Sequence, residues 1–223
     1  CNEAEWNRFR SEHTNEAILD RIVKINVPYI LELNQEIKIY EKLLSRSDFD
    51  SHIAPHTIKI ASMFSILSRL KKSQKCDLVT KLKIYNGDDV IEKGRVKKID
   101  IKDLRDEAHE EGMTGISTRF IMKAIDNALS DSEKNMITPN AIIESLIRQV
   151  KEQIIDEENK NIYLELLQSL IREEYLKILE NEIAKAFITA YSEQAQSLFD
   201  SYLDNAECYT NRTTVKERQL SHT

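Results

Sequence analysis

The sequence predicts a mainly α-helical fold, and two observations support that prediction. Hydrophobic residues make up 41% and charged residues 31% of the 223 residues, whereas there are only 4 glycines and 3 prolines. This composition is typical of chains built from helices rather than from short strands and tight turns. Apolar residues also recur at helical spacing along most of the chain, which produces faces that can pack into a core.

The first thirty residues interrupt the helical pattern once. The stretch "NEAILDRIVKINVPY", residues 15–29, begins like a short helix and ends in "IVKINV", residues 22–27, where Val23, Ile25 and Val27 are β-branched residues at every second position. This alternation predicts a short strand that ends at Pro28. The apolar spacing of residues 31–45 then predicts an amphipathic helix.

Four further segments follow along the chain. A packed helix is predicted from Pro55 to Leu70, and the basic stretch Arg69 to Lys75 is interpreted as its solvated end. The charged, glycine-containing stretch from Tyr85 to Lys98 predicts a turn and a mobile connection. Helix starts are predicted from caps, one of them at Asp100. The others are Ser117 and the pair Thr138 and Pro139.

The C-terminal part of the chain has no glycine or proline from Asn140 onward. Its apolar residues recur at mixed spacings of three and four, so one or two long helices in a bundle or hairpin are predicted. The polar tail after Asn211 is expected to fray.

Charge and cysteine content exclude several classes of function. The net charge of -6 gives no basic footprint for nucleic acid or for an anionic membrane, and no apolar window is long enough to span a bilayer. The cysteines Cys1, Cys76 and Cys208 form no close pair, so neither a disulfide framework nor a zinc site is indicated. A reducing cytoplasm fits this pattern. Because the chain starts with cysteine and not methionine, we expect it to be cut from a longer protein.

The stretch "GMTGISTRF", residues 112–120, uses two of the four glycines just before an arginine. Gly112 and Gly115 permit a tight approach, Ser117 can cap a helix, and Arg119 falls in its first turn. A helix N-terminus with an added guanidinium favours a phosphate. Spacing alone favours the plainer interpretation, a turn between helices with a solvated arginine.

Other candidate residues and motifs are weaker. Arg21 follows Asp20 and can form a structural ion pair or face a nucleotide on another subunit. His52 and His56 are interpreted as loop and cap residues, because Pro55 separates them. The sequence contains no phosphate loop, no eukaryotic-type kinase motif set and no nucleophile elbow. Self-contained catalysis by this chain is therefore not indicated.

Several blocks taken together resemble the bacterial PrkA family of serine protein kinases. They are "NEAILDRIVKINVPYILELNQEIKIYEKLL", "HIAPHTIKIASMFSILSRLKKS", "KLKIYNGDDV", "EGMTGISTRFIMKAIDNALS" and "AFITAYSEQAQSLFDSYLDNAECY". The resemblance covers nearly the whole chain in order, except that the tail "VKERQLSHT" does not resemble the acidic continuation expected of the family. It implies residues 1–30 as the end of an AAA+ core with a short strand remnant, residues 31–137 as a helical lid, and residues 138–223 as a C-terminal helical domain.

The resemblance also implies roles for three residues. "CNEAE" looks like the end of the strand that carries the sensor-1 polar residue, matched here by Asn2. "LDRI" resembles the neighbourhood of an arginine finger, so Arg21 would reach the nucleotide of an adjacent subunit. "GISTRF" resembles sensor 2, so Arg119 would contact the nucleotide of its own subunit from the lid.

By the same resemblance, the function is that of the C-terminal portion of an ATP-dependent serine protein kinase. It would act on a protein substrate, form a homo-oligomer through the AAA+ core, and use ATP and Mg²⁺ bound mainly by residues outside this chain. The alternative is a regulatory or substrate-recruiting interaction module of an AAA+ ATPase whose main work is remodelling or proteolysis.

Overall fold

The computed structural model describes residues 2–46, 51–92, 95–96, 99–131 and 136–210. The chain divides into two compact units, Cys1–Leu166 and Leu167–Thr223. Most of the described residues are helical, which confirms the mainly α prediction.

The first unit contains nine α-helices among its described residues, with four short strands and a 3₁₀ turn at His13–Asn15. The α-helices are α1 Glu3–Ser11, α2 Glu16–Leu19, α3 Leu33–Leu44, α4 Thr57–Leu67, α5 Leu78–Tyr85, α6 Ile101–Glu107, α7 Thr118–Ser130, α8 Pro139–Gln153 and α9 Glu157–Glu165. The strands are β1 His52–Ile53, β2 Ile91–Glu92, β3 Arg95–Val96 and β4 Met136–Ile137.

Helix α4 lies at the centre of this unit. It packs against α3, α5, α7 and α8, and nine of its eleven residues are buried. A helix that is apolar on nearly every side is stable in water only when neighbours cover it all round. Helix α4 therefore forms the core, and its C-terminal end lies inside the unit as well.

The strands form two minimal sheets. Strands β1 and β4 pair in parallel, with His52 opposite Met136, and β2 and β3 form an antiparallel hairpin. His52 thus begins a strand rather than lying in a loop, because its pairing partner is distant in sequence. His56 is the N-terminal cap residue of α4, as predicted, and its backbone is left-handed with φ of 66°.

The strand predicted at Ile22–Val27 is wrong, because these residues have no regular secondary structure. Val23, Ile25 and Val27 are 84%, 78% and 82% exposed. A strand requires the backbone groups of a neighbouring strand as partners, and the described strands pair with one another elsewhere in the unit.

Local signals correctly located the starts of three helices. Asp100, Ser117 and Thr138 each cap a helix through a side-chain oxygen that accepts a backbone N–H bond. Pro139 occupies the first turn of α8, as predicted. The turn predicted over residues 85–98 contains the β2 and β3 hairpin, and the polar tail after Asn211 lies outside the described residues.

The second unit consists of α10, Arg172–Thr210, preceded by a π-helical stretch at Leu166–Ile171 where the units meet along the chain. At 39 residues, α10 confirms that a long helix follows Asn140. Large apolar side chains are exposed along it, among them Phe187 and Tyr191. No helix in the described parts of the chain combines the length and hydropathy needed to cross a membrane.

Candidate functional site

Arg119 lies in the first turn of α7, where the sequence placed it. Ser117 caps this helix, because its hydroxyl accepts a hydrogen bond from the backbone N–H of Phe120 at 3.3 Å. The side chain of Arg119 is exposed. No described residue forms an ion pair or hydrogen bond with it, so its charge is available to a ligand.

The two glycines before Arg119 are needed for close contacts inside the protein. Gly112 and Gly115 have φ of 79° and 119°, a backbone region that side-chain-bearing residues rarely adopt. A Cβ at Gly115 would lie 2.7 Å from Cγ of Arg69 and 2.8 Å from the carbonyl of Ser68. At Gly112 it would lie 2.9 Å from the carbonyl of Tyr29. The loop thus lies directly on the end of α4.

Beneath the loop, the guanidinium of Arg69 is completely buried. It forms an ion pair with Glu36 at 2.8 Å, and both side chains are at most 1% exposed. It also donates to the carbonyl of Ile116 through Nε and Nη2, at 3.2 and 3.0 Å, and to the carbonyl of Ile30 through Nη1, at 2.9 Å. A buried charge is stable only when it is paired and hydrogen-bonded in this way.

The carboxylate of Glu36 has further partners that complete the cluster. Tyr40 and Ser65 donate their hydroxyl protons to Oε1 of Glu36, at 2.6 and 3.1 Å. The Ser65 hydroxyl in turn accepts from Nη2 of Arg69 at 2.6 Å. Burial and the adjacent carboxylate raise the pKa of Tyr40 well above its usual range, so its hydroxyl remains a donor.

Hydrogen bonds of the backbone N–H groups also join three segments: the chain at Tyr29, the end of α4 and the loop at residues 112–117. The N–H of Tyr29 donates to the carbonyl of Gly112 at 2.8 Å, and the N–H of Gly112 donates to the carbonyl of Arg69 at 3.3 Å. The N–H of Ile116 donates to the hydroxyl of Ser68 at 2.9 Å. We call Arg69, Glu36, Ser65 and Ser68 the Arg69 latch, since they hold the loop at residues 112–117 to α4.

A second buried ion pair, between Lys81 and Glu111, lies immediately before the loop, and both side chains are at most 3% exposed. Glu111 also accepts from the N–H of Lys71 at 2.6 Å and from the hydroxyl of Tyr85 at 2.8 Å. Burial, together with the Glu111 carboxylate, raises the pKa of Tyr85 well above its usual range. The loop is therefore held at its start as well as at its end.

The structure places the other two predicted residues on the surface. Asn2 caps α1 and forms a reciprocal capping box with Glu5, so it begins a helix instead of ending a strand as predicted. Arg21 lies exposed in the turn after α2. Within the described residues, no hydrogen bond or ion pair joins Asn2, Arg21 and Arg119 to one another. Their nucleotide roles stay predictions.

Arg69 is the residue that the sequence interpretation missed. The stretch Arg69 to Lys75 was predicted to be a solvated helix end, and for Arg69 this is wrong. The signal was its position: Arg69 follows Ser65 by four residues, in line with one face of a helix that is buried on nearly every side. Because α4 is enclosed, that face remains buried past the last helical turn.

A groove of about 460 Å³ lies elsewhere, beside β1 and the start of α4. Its lining includes Ile37, Glu41, Pro55, His56 and Lys59, and it contains none of the predicted site residues. Among the described residues, no group of histidine, cysteine or acidic side chains is arranged to hold a metal ion. Position and contacts therefore favour the loop before Arg119 as the candidate site.

Comparisons with known proteins agree with an AAA-type region joined to a kinase-family C-terminal region. Residues 1–77 match the family model described as the PrkA AAA domain, and residues 79–221 match the PrkA serine protein kinase C-terminal domain. The chain belongs to the PrkA family.

Curated relatives have two different names. The chain is 39% identical to the ATP-dependent protease PrkA of Bacillus subtilis (strain 168), over 97% of this chain and 34% of that protein. It is 36% identical to the serine/threonine kinase YeaG of Escherichia coli (strain K12), over 92% of this chain and 32% of that protein. The chain thus spans about a third of the length of these relatives. No solved structure matches it.

Proposed function

We propose that this chain is the C-terminal portion of an ATP-dependent serine protein kinase of the PrkA type. In this proposal Arg119 senses the nucleotide from the helical lid, residues 31–137, and residues 138–223 form the C-terminal domain. The observation that carries it is an exposed Arg119, without an ion-pair or hydrogen-bond partner among the described residues, at the start of a helix whose preceding loop is held by buried hydrogen bonds. The nucleotide context comes from the match of residues 1–77 to an AAA domain, whereas Arg119 lies in residues 79–221, which match the C-terminal domain model.

The residues of this chain fit part of an ATP site. Arg119 and Arg21 offer guanidinium groups, which bind phosphate oxygens through paired hydrogen bonds. The sequence has no phosphate loop, and its described residues offer no metal-ligand cluster. We therefore assign the triphosphate cradle and the Mg²⁺ ligands to residues outside this chain. ATP with Mg²⁺ would supply the phosphoryl group that is transferred to serine.

Direct phosphotransfer distinguishes kinase from protease. The polypeptide, extended upstream to the length of its relatives, is incubated with γ-labelled ATP and a candidate protein substrate. We expect label on serine, with the substrate chain intact. ATP-dependent appearance of cleaved peptides without phosphoserine would contradict the proposal and favour the alternative of an AAA+ protease.

Mixed oligomers test the role proposed for Arg21. Subunits that carry Arg21→Ala are combined with subunits that cannot bind ATP. If Arg21 acts on the nucleotide of a neighbour, part of the ATP turnover returns, because intact Arg21 then faces an intact ATP site. No recovery in demonstrably mixed oligomers would rule out action across the interface.

The surface of α10 favours a second function, recruitment of a protein partner. Phe187, Tyr191, Leu198 and Tyr202 are 73%, 75%, 75% and 68% exposed. Their intervals of four, seven and four residues place them on one face. Apolar patches of this kind mark interaction sites.

The charged residues around this apolar stripe, formed by Phe187, Tyr191, Leu198 and Tyr202, indicate the kind of partner. Asp200, Asp204 and Glu207 fall on the opposite face of α10, and residues 186–210 contain no lysine or arginine. A helix that binds anionic membranes carries basic residues beside its apolar face, so a lipid surface is disfavoured. The partner we propose is a helix of the protein substrate with an apolar stripe of similar length.

Kinetics on the extended protein test recruitment. With Phe187→Ser and Tyr191→Ser combined, we expect a higher KM for the protein substrate and unchanged ATP turnover without substrate. Gln196→Ala, on the other side of the same helix, is the matched control. An unchanged KM would contradict the proposal, and so would loss of concentration-dependent self-association in the double variant, which would assign the stripe to a second copy.

A further inference from the structure

We propose that Arg69 is a positioning residue for Arg119. Arg69 holds the loop at residues 112–117 onto α4 and onto the segment Pro28–Ile30. It thereby sets the position of Arg119 relative to that segment, which leads into the lid. This inference rests on the proposed nucleotide-sensing role of Arg119. Arg69 itself touches no ligand in this account.

The first step is the short covalent path from the latch to Arg119. The carbonyl of Ile116 accepts two hydrogen bonds from the Arg69 guanidinium, and Ile116 is three residues before Arg119. Ser117, between them, caps α7. The position of Ile116 therefore fixes both the start and the direction of the helical turn that carries Arg119.

The second step is the link from Arg69 to the incoming chain. The guanidinium donates to the carbonyl of Ile30 and lies over the ring of Tyr29, with Cζ 4.6 Å from the ring centroid. The N–H of Tyr29 bonds in turn to Gly112 of the loop. One side chain thus joins the α7 loop to the segment through which residues 1–27 connect to the lid.

Only arginine can donate to the carbonyls of Ile116 and Ile30 at the same time. Its planar guanidinium carries five N–H donors in a fixed fork, whereas lysine has three donors at a single point. Here Nε, Nη1 and Nη2 all donate, to the carbonyls of Ile116 and Ile30, to Glu36 and to Ser65. Arg69→Lys keeps the charge beside Glu36 but cannot reach both carbonyls.

A double-mutant cycle on the extended polypeptide tests the proposal through KM for ATP and kcat. The variants are Arg69→Lys, Ser68→Ala and Arg119→Ala, and each latch change is also combined with Arg119→Ala. Ser68→Ala removes the hydroxyl that accepts from the N–H of Ile116 and donates to the carbonyl of Ser65, and it leaves the guanidinium of Arg69 in place, so it decides the question if Arg69→Lys does not fold. Lys75→Met is the control, because its ammonium group pairs with Asp103 on the surface and not with a latch residue.

We expect each latch variant to raise KM for ATP about three- to tenfold in the parent. In the Arg119→Ala background we expect no further change, since a residue that acts through Arg119 has nothing left to position. Lys75→Met is expected to leave KM unchanged. If the fold-change in KM of a latch variant and that of Arg119→Ala multiply in the combined variant, the positioning role is overturned. Nucleotide sensing by Arg119 would then be left intact. Arg119→Ala without any effect would overturn both.

Hydrogen exchange on the 223-residue chain gives a readout that needs no nucleotide. We expect the amides of Tyr29, Gly112 and Ile116 to exchange faster in Ser68→Ala and in Arg69→Lys, while the amides of α8 keep their protection. Unchanged exchange at all three amides in both variants would overturn the latch as the device that holds the loop.

Discussion

The region around α4 and the helix α10 differ in where they place charged and apolar side chains. Around α4, the side chains of Arg69 and Lys81 are 0% exposed and each is paired with a buried glutamate. Along α10, Phe187 and Tyr191 are 73% and 75% exposed. Burying charge is costly unless every partner is in place, and exposing apolar surface is costly unless something covers it.

This difference teaches that the two regions do different work. The buried charges around α4 hold a loop in place, and Arg119 extends from that loop into solvent. The exposed apolar residues of α10 do not contribute to a core where they are exposed, so they are the surface on which we expect the proposed partner to bind. Variants that compare a buried residue with an exposed one of the same type sharpen this contrast.

The largest effect is expected for Arg69→Met. It leaves the carboxylate of Glu36 and the carbonyls of Ile116 and Ile30 without their buried donor, which costs about 3–5 kcal/mol in the free energy of unfolding. The matched control is Lys75→Met, because Lys75 pairs with Asp103 on the surface and its side chain is 47% exposed. Urea denaturation of both variants measures the difference, and equal losses would contradict the latch.

Gly115→Ala is expected to have the next largest effect. Its methyl group would meet Arg69 and Ser68 while the backbone keeps a φ of 119°, so conformational strain and overpacking together cost about 2–4 kcal/mol. Gly87→Ala separates the two causes, since Gly87 has a φ of 80° but open space around it. Only the conformational cost of about 1–2 kcal/mol is expected there. Thermal unfolding measures the loss of stability in both variants. Equal losses in Gly115→Ala and Gly87→Ala would show that the close contact at Gly115 adds no cost.

Tyr40→Phe is expected to cost about 1–3 kcal/mol at neutral pH, because its hydroxyl donates to a buried carboxylate. Burial raises the pKa of Tyr40 above its ordinary value of 10.0. The unfolded chain therefore loses this proton first, and the stability from the hydroxyl is present below pH 10 and lost as pH rises above it. In urea denaturation at alkaline pH, the difference in the free energy of unfolding between Tyr40→Phe and the parent should therefore become smaller. If this difference in the free energy of unfolding stays constant up to the pH at which the protein unfolds, the raised pKa of Tyr40 is contradicted.

The smallest effect on stability is expected for Phe187→Ser. Because its ring is exposed, the free energy of unfolding should change by less than about 0.5 kcal/mol. Phe64→Ala, in the core of α4 where Phe64 is 0% exposed, should cost about 3–5 kcal/mol. A large loss in Phe187→Ser would show that the stripe already packs within the chain.

Sequence reasoning succeeded where the determinant is local. Ser117 and Thr138 were identified as caps because the oxygen and the N–H it accepts from are three residues apart. The same locality placed Arg119 in the first turn of α7. Glycine pairs and apolar spacing are signals of this kind.

Sequence reasoning failed where the partner is distant in the chain. Arg69 pairs with Glu36, 33 residues away, and with Ile116, 47 residues away, so its spacing from Ser65 indicates a helix face but identifies neither partner. The strand predicted at Ile22–Val27 failed for the same reason, since β-branched alternation gives no pairing partner. Burial and pairing depend on tertiary packing.

Nucleotide sensing by the lid requires that Arg119 contacts the nucleotide. The decisive measurement is the KM for ATP of the extended polypeptide carrying Arg119→Ala, with Lys123→Ala as control, because Lys123 is exposed on α7 four residues further along. We predict that KM rises about tenfold or more for Arg119→Ala and stays at the parental value for Lys123→Ala. The same KM for both variants and for the parent would contradict the account.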